Sequence, residues 1–226
     1  MNERHTSSST DQSDVILYEQ RPKPYSNALE LQLDRAALQA ERGRSNQRFP
    51  LAAIEQITLK YTPRNVARHT FTCHVQAKDG RSVRFENISW RSLIEADRLN
   101  VEYNRVVRTL IDRASRANPT LVLHGGITPL RYWFMLIVGV ALTLALIGTV
   151  FYALGAQSAL PNLEKSIPIQ GTLFRFFGRW SNVLALFSTG LAAYLAYWLR
   201  EYLMRNRPRT FAPETIPPEL MPKNER

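Results

Sequence analysis

The sequence predicts an α+β protein: an antiparallel β-sandwich or small barrel with a C-terminal amphipathic helix, followed by a two-helix transmembrane hairpin. Three observations carry this prediction. Apolar and polar residues alternate with a period of two through residues 15–88, as they do in strands with one buried face. Apolar residues then recur on one helical face up to residue 114. Beyond residue 131, two long stretches contain no charged residue.

The strand prediction rests on short alternating segments separated by turn residues. These segments are VILYE (15–19), ALELQLD (28–34), IEQITLKY (54–61), HTFTCHVQA (69–77) and SVRFENI (82–88). Turns are expected at Arg42-Gly43-Arg44 and at Asp79-Gly80, and the second pair is a strong hairpin signal. Six or seven short strands in about 75 residues favour an antiparallel sandwich or a small barrel.

An amphipathic helix is predicted to follow the strands. Ser92 and Glu95 have the spacing of a capping box, which predicts a start near residue 92, with Asn100 as a point of interruption. The apolar face comprises Tyr103, Val106, Val107, Leu110, Ile111 and Ala114. Asn118-Pro119 ends the helix, because proline cannot continue it. The soluble domain is therefore expected at residues 15–117, after a polar tail at residues 1–14 that is predicted to be disordered.

Two membrane spans are predicted after a linker at residues 118–131. The first covers residues 132–154, about 34 Å at about 1.5 Å per residue, against a hydrocarbon core of about 30 Å. The second covers residues 180–199. The segment between the spans, 155–179, is predicted to be extracytoplasmic. Residues 173–180 are expected to form either an interfacial helix or the first turns of the second span.

Both ends of the chain are predicted to lie in the cytoplasm. Five arginines flank the outer ends of the two spans: Arg131, Arg200, Arg205, Arg207 and Arg209. Three cations lie in or beside the segment that joins the spans: Lys165, Arg175 and Arg179. This bias follows the positive-inside rule. The polar first 14 residues contain no apolar signal-peptide segment that would export the domain.

The composition of the spans points to an anchor. Neither span contains Asp, Glu, Lys, Arg or His, the groups that proton relays and ion paths require, so transport is not the expected function. Small residues recur at helical spacing: Gly139, Thr143, Ser188, Ala192 and Ala196. Such residues allow two helices to approach closely, either within the hairpin or in a homo-oligomer, or they simply face lipid.

Two segments flanking the spans have no regular pattern. His124-Gly125-Gly126 is expected to be a hinge between the domain and the membrane. The C-terminal tail, residues 200–226, is basic and rich in proline. Because proline disfavours helix, the tail is predicted to be either a docking peptide for a partner or a disordered segment.

Two parts of the chain carry a resemblance to a known group of proteins. Residues 15–117 have the element order of a pleckstrin-homology-like (PH-like) domain, a run of strands closed by one helix. The tail sequence NRPRTFAPETIPPELMP is similar to the C-terminal stretch of two-span proteobacterial members of this group. The chain thus resembles bacterial PH-like proteins with two transmembrane helices. The resemblance implies a PH-like fold and a location in the bacterial inner membrane.

The sequence predicts no catalytic residue, no cofactor and no metal site. Cys73 and His74 are adjacent on a predicted strand, so their side chains point to opposite faces and cannot form a nucleophile–base dyad. The four histidines, at positions 5, 69, 74 and 124, lack the spacing of metal ligands. The net charge of +10 is spread over the chain without a nucleic-acid-binding motif. Anionic lipid is therefore the expected partner for this charge, and nucleic acid is not.

One candidate binding site is predicted, a hairpin with several arginines around Gly43. Its residues are Arg42, Arg44 and Arg48, with Arg35 nearby. The PH-like resemblance implies that basic residues in such an early hairpin loop can bind lipid headgroups; a solvated hairpin tip is the plain alternative. Two functions are expected: a non-enzymatic module that scaffolds a complex at the inner membrane through unknown protein partners, or binding of an anionic lipid surface through this hairpin.

Overall fold

A computed structural model describes residues 15–65, 68–163 and 171–223 of the chain. The predicted disordered tail at residues 1–14 lies outside these residues. The chain divides into two compact units. The first, called the domain below, contains the residues up to Ile127 together with those from Arg205 onward, and the second, called the helical unit, is Thr128–Met204. The structure confirms the α+β class.

The first sheet of the domain is a four-stranded antiparallel meander. Its strands are β1 (Ile16–Gln20), β2 (Leu29–Leu33), β3 (Ala37–Arg42) and β4 (Ser45–Pro50), which pair in chain order. Buried and exposed residues alternate along β2, as the period-two pattern predicts. The predicted turn at Gly43 is confirmed: a two-residue loop joins Arg42 to Ser45, and Gly43 has a φ of 61° that a side chain would disfavour.

The second sheet contains both antiparallel and parallel pairs. Its antiparallel part is β5 (Ile54–Asn65), β6 (Arg68–Ala77) and β7 (Ser82–Glu86), and the predicted turn at Asp79-Gly80 joins the last two. Shortly before the helical unit begins, β10 (Val122–Gly125) pairs in parallel with β5. The last strand, β11 (Arg209–Thr210), comes from the C-terminal tail and pairs with β10.

The predicted start of the helix near Ser92 is wrong. Residues 88–98 form a small hairpin of β8 (Ile88–Trp90) and β9 (Ala96–Arg98) instead. The Ser92 hydroxyl does accept a hydrogen bond from the backbone N–H of Glu95, at 3.1 Å, but this bond closes the turn of the hairpin. The same local bond that caps a helix can also close a turn, so the spacing alone did not distinguish the two.

Helix α1 (Asn100–Ala117) buries the face that its apolar residues predict. The buried residues are Tyr103, Val106, Val107, Leu110, Ile111 and Ala114. The helix ends at Asn118 as predicted, and the side-chain amide of Asn118 donates a hydrogen bond of 2.7 Å to the carbonyl oxygen of Ile54. One hydrophobic cluster contains buried residues from both sheets and from α1. These residues form the core of the domain.

The predicted linker and hinge at residues 118–131 are wrong in their central part. His124 and Gly125 lie in β10, where they pair with Thr58 and Leu59 of β5. Gly126 has a φ of 83°, and a Cβ atom there would lie 2.3 Å from the carbonyl oxygen of Asn206. The glycine is required because another backbone segment passes so closely. This part of the chain is therefore fixed in the sheet.

The C-terminal tail is also placed differently from both predictions. Up to residue 223 it is neither a free docking peptide nor disordered: Leu220 and Met221 belong to the core cluster, and β11 extends the second sheet. The side-chain amides of Asn104 and Asn100 donate hydrogen bonds to the carbonyl oxygens of Pro222 and Lys223. Proline-rich segments lack many N–H donors of their own, but their carbonyls remain good acceptors. The tail is an integral part of the domain.

Asn206 fixes the point at which the chain re-enters the domain. Its side-chain oxygen accepts a hydrogen bond of 3.1 Å from the N–H of Tyr61, and its side-chain N–H donates one of 2.7 Å to the carbonyl oxygen of the same residue. The parallel pairing of β10 with β5 ends at Leu59. Past Leu59, the backbone N–H and C=O of Tyr61 have no strand beside them to bond to. The buried side-chain amide of Asn206 takes the place of a strand and bonds to both groups. The guanidinium of Arg205 lies 4.7 Å from the centre of the Tyr61 ring.

The helical unit consists of α2 (Pro129–Leu163) and α3 (Gly171–Arg205). Within α2, residues Pro129–Phe151 have a mean hydropathy of 2.5 and are long and apolar enough to cross a membrane. Of the part of the chain that the structure describes, this is the one segment that meets that criterion. Residues 173–180 are backbone-helical and continuous with α3, which is compatible with both predictions for this segment.

Small residues line contacts within the helical unit. A Cβ atom on Gly139 would lie 2.4 Å from a methyl carbon of Leu199, so α2 and α3 approach closely at this level. Ser188 and Ala192 are buried, whereas Ala196 is exposed. The prediction that small residues serve the pairing of the two helices is confirmed at Gly139.

Leu220→Ala is expected to destabilise the domain. Because Leu220 is fully buried in the core, the loss of packing and the remaining cavity lower the unfolding free energy by about 2–5 kcal/mol. Chemical denaturation of the full chain in detergent, followed by near-ultraviolet circular dichroism, measures the change. The matched control is Glu214→Ala, an exposed position of the same tail. Equal midpoints for the two variants would contradict the burial of the tail.

Candidate functional site

The predicted arginine hairpin does not form a single basic surface. In the pairing of β3 with β4, Arg42 is opposite Ser45 and Arg48 is opposite Gln39. Successive residues of a strand point to opposite faces. Arg42 is therefore on the same face of the sheet as the buried residues Leu38 and Phe49, but it lies past the end of the core. Arg48 points to the outer face. Arg44 lies in the loop between them.

Arg35 lies at the opposite end of β3 from Arg42. It precedes β3, whereas Arg42 ends that strand, and six residues at about 3.3 Å each separate the two ends by roughly 20 Å. Arg48, opposite Gln39, lies between these two levels. The four arginines are therefore spread along the strand and do not gather at the tip around Gly43.

The outer face of the first sheet carries a row of carboxylates beside this hairpin. Glu19 is paired with Glu30, and Glu30 is paired with Glu41, so three exposed acidic residues lie directly opposite one another on adjacent strands. Strands are about 4.8 Å apart, and like charges at that separation repel one another. Arg48 shares this face. The acidic row offsets its charge and opposes contact of this face with an anionic membrane.

The prediction that Cys73 and His74 form no dyad is confirmed. Cys73 is buried on the core-facing side of β6, and burial raises the pKa of its thiol well above the ordinary value. His74 points to the other face, in the row that contains Thr58 and Arg84. Desolvation, followed by the positive charges of Lys60 and Arg84, lowers the pKa of His74. The two side chains therefore have different environments and no shared access.

The structure shows no candidate metal site among the side chains that it describes. No group of three histidine, cysteine, aspartate or glutamate side chains in that region is arranged to hold a metal ion. Two buried polar side chains, Gln20 and Asn87, bond to backbone groups around the end of β7. Gln20 accepts a hydrogen bond of 2.6 Å from the N–H of Glu86, and Asn87 accepts one of 2.7 Å from the N–H of Phe71. These bonds fix the direction in which β8 leaves the sheet.

A surface that the sequence prediction missed lies at the tip of the β8–β9 hairpin. We call residues 88–98 the apolar hairpin. Leu93 and Ile94, at its tip, are 65% and 79% exposed. Two adjacent aliphatic side chains with this exposure are unusual for a short, otherwise polar turn, since burial of such side chains is the main driving force of folding. The signal in the sequence was the pair Leu-Ile between Ser92 and Glu95, which was interpreted as the first turn of a helix.

The apolar hairpin is held in shape by local polar contacts. The guanidinium of Arg91 contacts the carboxylate of Asp97 at 2.6 Å, across the two strands. The Ser89 hydroxyl accepts a hydrogen bond from the N–H of Arg21, and the carbonyl oxygen of Arg21 accepts one from the N–H of Trp90. The base of the hairpin is therefore attached to the loop at residues 21–28, and its tip projects from a fixed support.

The loop at residues 21–28 also carries an exposed side chain with an apolar ring close to charged side chains. Tyr25 is 85% exposed and is flanked by Lys23, with a turn closed by hydrogen bonds between Lys23 and Ser26. The loop and the apolar hairpin together carry four cations and two anions: Arg21, Lys23, Arg91 and Arg98 against Glu95 and Asp97. The surface is thus apolar at its tips and positively charged around them, the opposite of the acidic row on the first sheet.

Comparison of the chain with protein families, with curated proteins and with solved structures finds no match.

Cys73 is expected to resist alkylation in the folded chain. The thiolate is the reactive form of cysteine, and burial raises the pKa of this thiol. In an unfolded chain the same thiol loses its proton at about pH 8.5. Because only the unfolded chain gains from this ionisation, the unfolding free energy should fall as the pH rises above that value. Maleimide labelling near neutral pH, read by mass spectrometry, should modify Cys73 only when denaturant is present. Rapid labelling of the native chain would contradict the burial.

Proposed function

We propose that the chain is a non-enzymatic, membrane-anchored interaction module. In this proposal a PH-like domain is held at the bacterial inner membrane by a two-helix hairpin of α2 and α3, and the domain scaffolds a membrane complex through contacts with other proteins. The observation that carries the proposal is the return of residues 205–223 into the core of the domain.

The order of the elements supports a PH-like domain. Four strands form one antiparallel meander, three strands form a second, and an amphipathic helix follows and contributes to the core. A run of strands closed by one helix is the order that the resemblance implies. The additions in this chain are the small β8–β9 hairpin and the two strands, β10 and β11, that extend the second sheet beside β5.

The return of the tail supports a two-pass topology. The domain is built from residues on both sides of the helical unit, and a folded domain lies entirely on one side of a membrane. If α2 crosses the bilayer, the chain must therefore cross back before Arg205. The seven residues between α2 and α3 are too few to span a hydrocarbon core of about 30 Å. The return crossing is assigned to α3, with the predicted span at residues 180–199.

The charges near the spans support a cytoplasmic domain. The arginines at the outer ends of the two spans outnumber the cations between them by five to three, and positively charged flanks favour the cytoplasm. Since the same domain holds both flanks, the amino-terminal and carboxyl-terminal parts share one side.

The separation of reactive side chains supports a non-enzymatic role. The one cysteine is buried with a raised pKa, and the adjacent histidine lies on the other face of the sheet. A nucleophile needs a base within hydrogen-bond reach, which this arrangement does not offer. The exposed surfaces of the domain differ from one another in charge and polarity. Such differences are expected of a protein that binds one partner surface in preference to another.

The topology is tested by cysteine accessibility in intact cells. Lys165→Cys, in the segment between α2 and α3, should react with a membrane-impermeant maleimide added from outside. Asn46→Cys, an exposed position in β4, should react only after the membrane is permeabilised. The unsubstituted chain, with Cys73 alone, is the control for background labelling. Protection of Lys165→Cys in intact cells, together with labelling after permeabilisation, would overturn the two-pass topology.

The scaffolding role is tested by capture of the full chain from native membranes after mild cross-linking, with mass spectrometry of the bound proteins. We expect a protein partner that is retained when residues 129–204 are replaced with an unrelated two-span hairpin, because the domain surface makes the contact. Loss of the partner from that replacement, with the domain still folded, would assign the contact to the helices and contradict the proposal.

A further inference from the structure

We propose that the apolar hairpin contacts the surface of the bilayer in which the chain is anchored, with Leu93 and Ile94 entering the headgroup region of a membrane that contains anionic lipid. This inference rests on the proposed membrane anchoring. It assigns lipid contact to residues other than the arginine hairpin around Gly43.

The shape and exposure of the hairpin favour a lipid surface. Its two strands have three residues each, and the large exposed apolar side chains of the turn are Leu93 and Ile94. A narrow, projecting apolar tip offers little area to a flat protein surface, whose specific contacts usually bury about 800 Å² per partner. The same tip can insert into the soft boundary between headgroups and acyl chains, about 5–10 Å deep.

The charges around the tip favour anionic lipid. The apolar hairpin and the loop at residues 21–28 carry a net charge of +2, from four cations and two anions. Lysine and arginine side chains beside an inserted apolar group keep their charged ends at the level of the phosphates. The acidic row of Glu19, Glu30 and Glu41 lies on the outer face of the first sheet, and an anionic surface repels that face.

Tyr25 adds an aromatic side chain of the kind that membrane interfaces prefer. It is the most exposed large apolar residue of the domain, in the loop whose backbone is hydrogen-bonded to the base of the apolar hairpin at Ser89 and Trp90. Tyrosine is enriched at the headgroup level because its ring is apolar and its hydroxyl is polar. Two neighbouring loops therefore carry the same combination of apolar and basic residues.

The chain passes between the domain and the helices without a long linker. Ile127 is buried in the domain, and α2 begins two residues later at Pro129. At the other end, α3 ends at Arg205 and the next residue, Asn206, is buried. With no long linker at either crossing, the surface of the domain stays at high local concentration relative to the membrane.

The test places an environment-sensitive fluorophore on single introduced cysteines of the full chain in proteoliposomes. The probe is an NBD maleimide on Ile94→Cys, in vesicles of phosphatidylcholine and phosphatidylglycerol with or without doxyl-labelled lipid. Asn46→Cys, next to the acidic row, is the matched negative control. Leu144→Cys, an exposed position of α2, reports whether the helix is in the bilayer. Cys73 remains in place because its thiol is buried.

We expect the emission of the Ile94→Cys probe to shift to shorter wavelength and to be quenched by doxyl lipid, while the Asn46→Cys probe changes in neither respect. Quenching at Ile94→Cys should weaken in vesicles of phosphatidylcholine alone and after Leu93→Asp is added. Equal quenching in the two lipid compositions would overturn the assignment of an anionic lipid partner.

The outcomes separate this inference from the proposed anchoring. Quenching at Leu144→Cys without quenching at Ile94→Cys would overturn the lipid contact and leave the anchoring intact. Absence of quenching at both positions would overturn the anchoring itself. A blue shift at Ile94→Cys that doxyl lipid does not affect would assign the tip to a protein contact, either a second copy of the chain or another protein, and would also overturn the inference.

Discussion

The rest of the structure depends on the pair of hydrogen bonds between the side chain of Asn206 and the backbone of Tyr61. Both groups are buried, and leaving a buried backbone donor or acceptor unsatisfied costs about 1–3 kcal/mol. The bonds fix the point where the chain returns from α3. They also set the start of the segment that supplies β11 and the buried side chain of Leu220. Without this closure, β10 would lie at the edge of its sheet and part of the core would be open to water.

The surfaces of the domain differ in charge and polarity. The outer face of the first sheet carries the acidic row, whereas the apolar hairpin carries exposed aliphatic side chains, and cations outnumber anions in the hairpin and its neighbouring loop. Charges and apolar groups distributed in this way can orient a tethered domain, because one face is repelled by an anionic surface and another is attracted. The single thiol, buried at Cys73, takes no part in either surface.

Features that depend on local contacts could be predicted from the sequence, and features that depend on distant contacts could not. The strands, the turn at Gly43 and the buried face of α1 follow from periodicity, because each residue's face is set by its neighbours in the chain. The parallel pairing of β10 with β5 involves four residues of β10, and the tail strand β11 has two, so both are too short to leave a periodic signal. Ser92 and Glu95 make the expected hydrogen bond in an unexpected turn. The arginines around Gly43 were adjacent in sequence, but the strand register separates them.

The closure of the domain also determines the order in which the protein can be made. Tyr61 and Asn206 are 145 positions apart in the chain, so the ribosome must complete both helices before the last strand and Leu220 are available. Contacts between such distant residues form slowly, and the incomplete domain exposes part of its core during that time. In the proposed topology, the fold can therefore be completed only after both helices have been made. If α3 failed to cross back in that topology, the tail would stay on the opposite side of the membrane from the rest of the domain, and the core would lack Leu220.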